Sequence, residues 1–354
     1  MQIGLAKSTR IITWLIATAF CALAGQVYTA VAYDTIPQDL LKTWPGLRTG
    51  AIIGGVSSGF EIFVMRGPIG AWLRRCAFLM ALLIRVLIHT ALVVFSLLAG
   101  RVISALIIGH YLPEAFSPTE ILQDTIYSFL VIALLLFVLQ MRALIGGRTL
   151  LNVLLGRYHR PVREQRIFVL FDLIGSTPLA GKIGDEKFHE FLSAFFFEID
   201  AAVTQFGGEI YSYVGDAMFA SWPLGEPARN ANVAESVFAA RRRLVQREPW
   251  FRAMFGETPQ FRAVIHGGSI VAGECGDSRR QITYLGEVLN TTARLETLAK
   301  QLGIENIISR HLLDQLTLPD SVVAEDLGRH NLKGVAKPIE VNALIEVGRE
   351  TDRA

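Results

Sequence analysis

Apolar residues dominate four segments in the first half of the chain, at about residues 11–33, 49–65, 77–99 and 125–146. Each segment approaches the roughly 20 residues that a helix needs to cross a bilayer. From about residue 157 onward, shorter apolar runs alternate with polar positions, as in a water-soluble domain. The pattern predicts an α-helical transmembrane domain of about four spans over residues 1–146, followed by a soluble domain.

The segment 49–65 is the weakest of the four, and it contains Gly50, Gly54, Gly55 and Gly59. Small residues four positions apart let helices approach closely in lipid, so we predict a spanning helix here. A buried or re-entrant loop is the alternative.

Basic residues occur before the first span, between the second and third, and after the fourth. They are Lys7, Arg10, Arg66, Arg74, Arg75, Arg142, Arg148, Arg157 and Arg160. Because such charges stay on the cytoplasmic side, we expect a multi-pass protein of the inner (plasma) membrane with a cytoplasmic soluble domain. A cleaved signal peptide ending near Ala30-Val31-Ala32 is the alternative for the first segment, and it would leave the C-terminus inside.

Two charges fall within the apolar segments, Glu61 near a span end and Arg85 in mid-span. A charge in lipid is costly unless it is paired, so we expect these two to pair with each other. His89 lies one turn after Arg85 and extends the polar seam. A ligand role for the seam is the alternative.

Residues 147–162 carry apolar positions at helical spacing and end at Pro161, which predicts a short amphipathic connector helix. Two roles are open for it. It can relay movement across a dimer, or its cationic side can rest on anionic membrane lipid.

Composition narrows the classes of function. The formal net charge of the 354 residues is only +2, so we expect no nucleic-acid partner. The three cysteines lie far apart along the chain, which argues against a disulfide framework or a cysteine metal site.

The soluble region, residues 163–354, predicts an α+β fold with helices covering one sheet. We expect strands at 167–171, 209–214, 217–222, 261–268 and 306–310, helices at about 178–205, 226–247 and 287–301, and a final hairpin within 327–347.

Two acids lie at predicted strand ends. Asp172 closes the apolar run "IFVLFD", and Asp216 lies in the hairpin turn of "YVGDAMF". If these strands are neighbours, two repelling carboxylates meet, and divalent cations would relieve the repulsion. Mg²⁺ prefers one or two carboxylates together with phosphate oxygens, and two such ions form a clamp for displacement at phosphorus.

The turn after Asp172 supports phosphate binding. Leu173, Ile174, Gly175, Ser176 and Thr177 offer backbone N–H groups, and Pro178 suits the first turn of a helix. Helix N-termini bind phosphate through such groups. Taken alone, each motif also fits a common Gly-Asp turn or a simple helix cap.

A third stretch, "YLGEVLNTTARLE", places Asn290 and Arg294 on one face of a helix. Such an arginine can stabilise charge on a transferring phosphoryl group. An ordinary surface pair with Glu287 or Glu296 is the alternative.

The stretches "FVLFDLIGST", "GGEIYSYVGDAMF" and "YLGEVLNTTARLE", in this order and with "LKG" in the last hairpin, resemble the class III nucleotidyl cyclase catalytic domain over roughly residues 163–347. The bacterial membrane-bound type is the most similar. The resemblance implies a ferredoxin-like core, as in polymerase palm domains, and a head-to-tail homodimer with its sites at the interface.

The resemblance also implies roles for individual residues. Asp172, Asp216 and the Leu173 carbonyl would bind two Mg²⁺ or Mn²⁺ ions. Asn290 would position the ribose and Arg294 would stabilise the transition state, both from the partner chain. Lys333 would contact phosphate, with Lys337 as its substitute.

The base-reading positions differ from the family pattern. Adenine-selective members often have a lysine where this chain has Ser212, and an Asp or Thr where it has Thr283. Guanine-selective members tend to carry Glu and Cys, and neither is present there. We therefore expect an adenylate cyclase acting on ATP, with a guanylate cyclase or a non-catalytic, dimerising nucleotide-binding module as the alternatives. The membrane half would be a sensor or an oligomerisation device.

Overall fold

The computed structural model describes residues 3–32, 44–65, 67–73, 76–108, 118–145, 152, 155–225, 227–277, 281–335 and 337–347. The chain divides into two compact units, Met1–Ile145 and Gly146–Ala354.

The first unit is helical. Its helices are α1 (Ile3–Ala32), α2 (Trp44–Gly59), α3 (Pro68–Leu73), α4 (Phe78–Ile108) and α5 (Pro118–Ile145), and a π-helical segment, Phe60–Val64, continues α2. Among the described residues, three helices are long and apolar enough to cross a membrane, over Arg10–Val31, Leu83–Gly100 and Pro118–Leu139. The predicted span at 49–65 lies in α2 and the π-helical segment and is not among these three, so a fourth crossing stays a prediction.

Small residues let α1 and α2 pack closely, as the glycine spacing predicts. A Cβ atom on Gly50 would collide with the Cys21 carbonyl, and one on Gly54 would collide with the Cys21 side chain. The Trp14 indole N–H donates to the Gly55 carbonyl at 2.8 Å. Close approach of the two backbones therefore requires glycine at these positions.

The predicted pairing of the two charges in this unit is confirmed. Arg85 Nη1 lies 3.5 Å from Glu61 Oε1. His89 Nε2 lies 3.4 Å from Glu61 Oε2, and the His89 side chain is buried. Glu61 belongs to the π-helical segment, a local widening of the helix that often accompanies a functional or strained position.

Most of the predicted connector helix, at residues 146–151, 153 and 154, lies outside the described residues. Residues 155–160 form turns and bends, and the first strand begins at Val162.

The second unit has an α+β fold. Its strands are β1 (Val162–Leu173), β2 (Glu209–Val214), β3 (Ala217–Pro223), β4 (Phe261–Cys275), β5 (Gln281–Leu285), β6 (Asn306–Ser309), β7 (Val322–His330) and β8 (Ile339–Glu346). Its helices are α6 (Ser176–Ile183), α7 (Asp185–Gln205), α8 (Pro227–Phe255), α9 (Glu287–Leu302) and α10 (Arg310–Leu313). The strand order is β2-β3-β1-β4-β6-β8-β7, and β5 pairs with β4.

The central strand β1 is buried on both faces, and its alternation decides where the next side chain goes. Ile167, Val169 and Phe171 pack into the core formed with α7 and α8. Leu170 packs on the opposite face, against Leu295 of α9. Because strand side chains alternate, Asp172 falls on the α9 face of the sheet.

Two boundaries differ from the sequence prediction. The single helix predicted at about 178–205 is wrong, because Gly184 adopts a φ of 82° and separates α6 from α7. The strands predicted at 167–171 and 261–268 are parts of longer strands, which pair antiparallel from Val162 opposite Ala272 to Leu173 opposite Phe261.

Candidate active site

Asp172 lies one residue before the end of β1, between two neighbouring strands. It is opposite Ala217 of β3 and opposite Arg262 of β4. Only 5% of its surface is exposed. A carboxylate at this depth is costly to ionise unless positive charge compensates it.

Asp216 occupies the tight turn between β2 and β3. Gly215 beside it has a φ of 61°, which glycine adopts readily. The Leu173 N–H donates to the Asp216 carbonyl at 3.4 Å, which ties the end of β1 to this turn. The prediction that the two strands are neighbours is confirmed, because β1 and β3 are paired throughout this region.

Charges around Asp172 act in opposite directions. Burial raises the pKa of Asp172 the most, and the negative charge of Glu296 raises it further. The Lys300 ammonium lowers it, and the charge of Asp216 raises it. Lys300 Nζ lies 3.2 Å from Asp172 Oδ2. The site therefore holds excess negative charge around one buried carboxylate.

The residues present fit a divalent metal. Asp172 Oδ2 is buried, and the cation beside it is the Lys300 ammonium at 3.2 Å, so a metal ion can bind this oxygen if the flexible lysine moves. No group of three or more His, Cys, Asp or Glu side chains in the described parts of the chain makes a complete metal site. A donor set of two carboxylates and a carbonyl is typical of Mg²⁺, which completes its shell with phosphate oxygens and water.

The turn after Asp172 offers fewer free N–H groups than the sequence suggests. The Leu173 N–H is bonded to Asp216, and the Ile174 N–H donates to the Gln260 carbonyl at 2.8 Å. Gly175 has a φ of 72° and precedes α6, which begins at Ser176. First-turn N–H groups have no acceptor within their own helix. The prediction that backbone N–H groups bind phosphate therefore applies only to Gly175, Ser176 and Thr177.

Asn290 and Arg294 both lie on α9. Asn290 is exposed and Arg294 is half-buried. A Cβ atom on Gly334 would lie 3.0 Å from Arg294 Nη2, so the guanidinium sits against the β7–β8 loop. Lys333 in this loop is exposed, as is Lys337. At about 100° per residue, Arg294 points about 120° away from Lys300 around the helix axis.

Ser212 and Thr283, the residues predicted to bind the base, lie on β2 and β5, and aromatic side chains of these two strands are in contact. The rings of Tyr211 and Tyr284 stack at 4.6 Å between centroids. The Tyr284 N–H donates to the Tyr211 hydroxyl at 3.2 Å. Ser212 and Thr283 are the adjacent residues on β2 and β5. Thr283 Oγ1 is buried and has no hydrogen-bond partner among the described residues, so a polar group of a ligand can satisfy it.

Sequence reasoning missed the contact of Lys300 with Asp172 and the effect of the Glu296 charge on the Asp172 pKa. The four-residue spacing of Glu296 and Lys300 marks a helical ion pair, and the two side chains are in contact. Nothing in that spacing indicates that the pair faces a carboxylate of β1. Because Glu296 pairs with Lys300, an ion pair between Glu296 and Arg294 is disfavoured.

Known proteins are similar in sequence to part of this chain. The profile of the family described as "Adenylate and Guanylate cyclase catalytic domain" matches residues 160–345. Adenylate cyclase 2 of Rhizobium meliloti (strain 1021) is 40% identical over 210 residues, which are 59% of this chain and 58% of that protein. The adenylate cyclase of Anabaena cylindrica is 28% identical over 164 residues, 44% of this chain and 32% of that protein.

The fold is also found among solved structures. A bacterial light-regulated adenylyl cyclase superposes with a TM-score of 0.50 at 18% identity, covering 60% of this chain and 64% of that one. At this identity the similarity concerns the fold alone. This chain spans less than two thirds of the length of each of these proteins.

The Asp172→Asn variant should be more stable than the wild type when metal is chelated. A raised folded-state pKa means that folding disfavours the ionised carboxylate, so stability is lost as the pH rises through that pKa. We expect the melting temperature to rise by a few degrees at about pH 8, with a smaller gain near pH 5. Thermal unfolding with Asp277→Asn, an exposed control, measures this. Equal or lower stability of Asp172→Asn at both pH values would contradict the claim that the ionised Asp172 carboxylate destabilises the metal-free protein.

Proposed function

Because the chain belongs to the adenylate and guanylate cyclase catalytic domain family, we propose that it converts ATP to 3′,5′-cyclic AMP and pyrophosphate. The observation that carries this proposal is the buried Asp172, beside the Asp216 turn and just before the N-terminus of α6. In the reaction, the ribose 3′ oxygen bonds to the α-phosphorus, the bond to pyrophosphate breaks, and the hydroxyl proton leaves to solvent.

Class III cyclases generally use divalent metal ions. In this chain, Asp172, Asp216 and the Leu173 carbonyl would hold two Mg²⁺ or Mn²⁺ ions. When bound, such ions lower the pKa of the attacking hydroxyl and neutralise phosphate charge. The first turn of α6, with Gly175, Ser176 and Thr177, would orient the phosphates through its N–H groups.

The remaining groups would come from a second copy of the chain in a head-to-tail homodimer. Asn290 would position the ribose, and Arg294 would face the charge that develops on the transferring phosphoryl group. Arg294 lies against Gly334 and points about 120° around the helix from Lys300, the residue that contacts Asp172 of the same chain, which supports this division. Lys333, or Lys337 in its place, would contact the phosphate tail.

Adenine is the favoured base. Thr283, with its unpartnered hydroxyl, would hydrogen-bond to the base, and Ser212 would face it from the other strand. Both curated relatives described above carry the name adenylate cyclase. Guanine remains the competing substrate.

The first unit would anchor the enzyme in the inner membrane. Three apolar helices support this role, and α2 with its π-helical segment would supply the fourth crossing. The domains would then be a transmembrane unit at 1–146, a connector at 147–162 that touches anionic lipid, and a cytoplasmic catalytic unit at 163–354.

Purified protein with Mn²⁺ and ATP should form cyclic AMP, detected by chromatography of the products. Asp172→Ala should abolish the reaction, because it removes a metal ligand. Arg294→Ala should lower kcat by about 10²–10³-fold, because one transition-state donor is lost. Lys182→Ala, at an exposed ion pair with Glu257, serves as the control.

Two results would change this assignment. No cyclic nucleotide from either ATP or GTP would leave a non-catalytic module as the better description. Preference for GTP in direct competition, with the same dependence on Asp172, would overturn the adenine assignment and keep the cyclase chemistry.

Mixing two inactive variants tests the interface. In a head-to-tail dimer of Asp172→Ala with Arg294→Ala, one site carries both defects and the other carries neither. Half of randomly exchanged dimers are mixed, so about a quarter of the wild-type activity should return. Activity that stays at the level of the separate variants after subunit exchange would place both residues in one chain's site.

A topology reporter tests the membrane assignment. Alkaline phosphatase fused after the catalytic unit should be inactive, and green fluorescent protein at the same place should be fluorescent. Four spans leave the C-terminus inside, as do the three spans that would remain if the first segment were cleaved. Active phosphatase in that fusion would contradict a cytoplasmic catalytic unit.

A further inference from the structure

Lys300 lies beside the Asp172 oxygen to which a metal ion would bind. Its ammonium is 3.2 Å from Asp172 Oδ2 and also contacts Glu296, four residues earlier on α9. Asp172 Oδ2 is buried, and this ammonium is the positive charge that the structure places beside it. Two cations cannot share this oxygen at close range without strong repulsion.

The burial of the three side chains shows which of them can move. The Asp172 and Glu296 side chains are 7% and 14% exposed, whereas the Lys300 side chain is 50% exposed. Asp172 is fixed by the pairing of β1 with β3 and β4. Lys300 has a flexible four-carbon stem. Lys300 is therefore the side chain that can move when a metal ion binds to Asp172.

Glu296 provides the alternative partner for the displaced lysine. The pair has the Glu-to-Lys order at four residues that favours contact on a helix. When Lys300 leaves Asp172, it keeps one carboxylate within reach on its own helix. Displacement therefore does not leave the ammonium without a counter-charge.

We propose that Lys300 is a positioning residue that competes with the divalent ion for Asp172. In the metal-free protein it compensates the buried carboxylate and keeps it oriented. On metal binding it shifts to Glu296 alone. The lysine therefore lowers the affinity of the site for the metal ion. This inference rests on the metal site of the proposed function.

The test is Mn²⁺ binding, measured by the electron paramagnetic resonance signal of free Mn²⁺. The full-length protein is titrated in the presence of 3′-deoxy-ATP, which lacks the attacking hydroxyl and cannot cyclise, and the Mn²⁺ bound by the same concentration of nucleotide without protein is subtracted. Lys300→Met keeps the stem and removes the charge, and its Kd for Mn²⁺ should fall about three- to tenfold. Glu296→Gln should raise the Kd about threefold, because the lysine then has only Asp172 as its partner. Lys182→Met, which removes a lysine from an exposed pair elsewhere, should leave it unchanged.

The outcomes separate this inference from the proposed function. An unchanged or higher Kd in Lys300→Met overturns the competition, whatever Glu296→Gln does. Asp172→Asn is the reference for the site itself. If it binds Mn²⁺ as the wild type does, Asp172 is not a ligand, and the metal site of the proposed function fails together with the inference.

Discussion

A carboxylate is buried at the end of the central strand, and the arrangement around it follows from that constraint. Strand β1 is covered on both faces, so alternation carries Asp172 into the interface with α9 rather than into water. An unpaired charge at this depth would be costly. Lys300 compensates the charge of Asp172 when no metal is bound, and a divalent ion would compensate it in the metal-bound form. The same burial that makes Asp172 unfavourable for folding makes it a strong ligand.

Helix α9 carries residues for two different sites, that of its own chain and that of the partner in the proposed dimer. One side of the helix presents Lys300 to Asp172 of the same chain. Another side carries Asn290 and Arg294, which the proposed dimer would deliver to the partner's site. A single element with an apolar face packed on the sheet would therefore fix the spacing between the two sites of the proposed dimer. Metal binding at one site would act on the helix that serves the other.

The sequence predicts much of the catalytic unit because local patterns there agree with the tertiary structure. The Gly-Asp turn and its two flanking strands lie where the alternation and turn chemistry place them. The N-terminal part of β1 was missed because its polar residues look like a loop. In the folded chain Glu164 and Arg166 satisfy each other at 2.9 Å within a long strand pair. The helix break at Gly184 and the contact of Lys300 with Asp172 depend on backbone conformation and on packing between distant segments, which no local pattern encodes.

The most direct test of the central claim is anomalous X-ray diffraction from crystals of the protein with Mn²⁺ and 3′-deoxy-ATP. We expect metal density about 2.1 Å from carboxylate oxygens of both Asp172 and Asp216, with the Lys300 ammonium moved to Glu296. Density for the nucleotide without metal at these two residues, and with Lys300 still paired to Asp172, would contradict it.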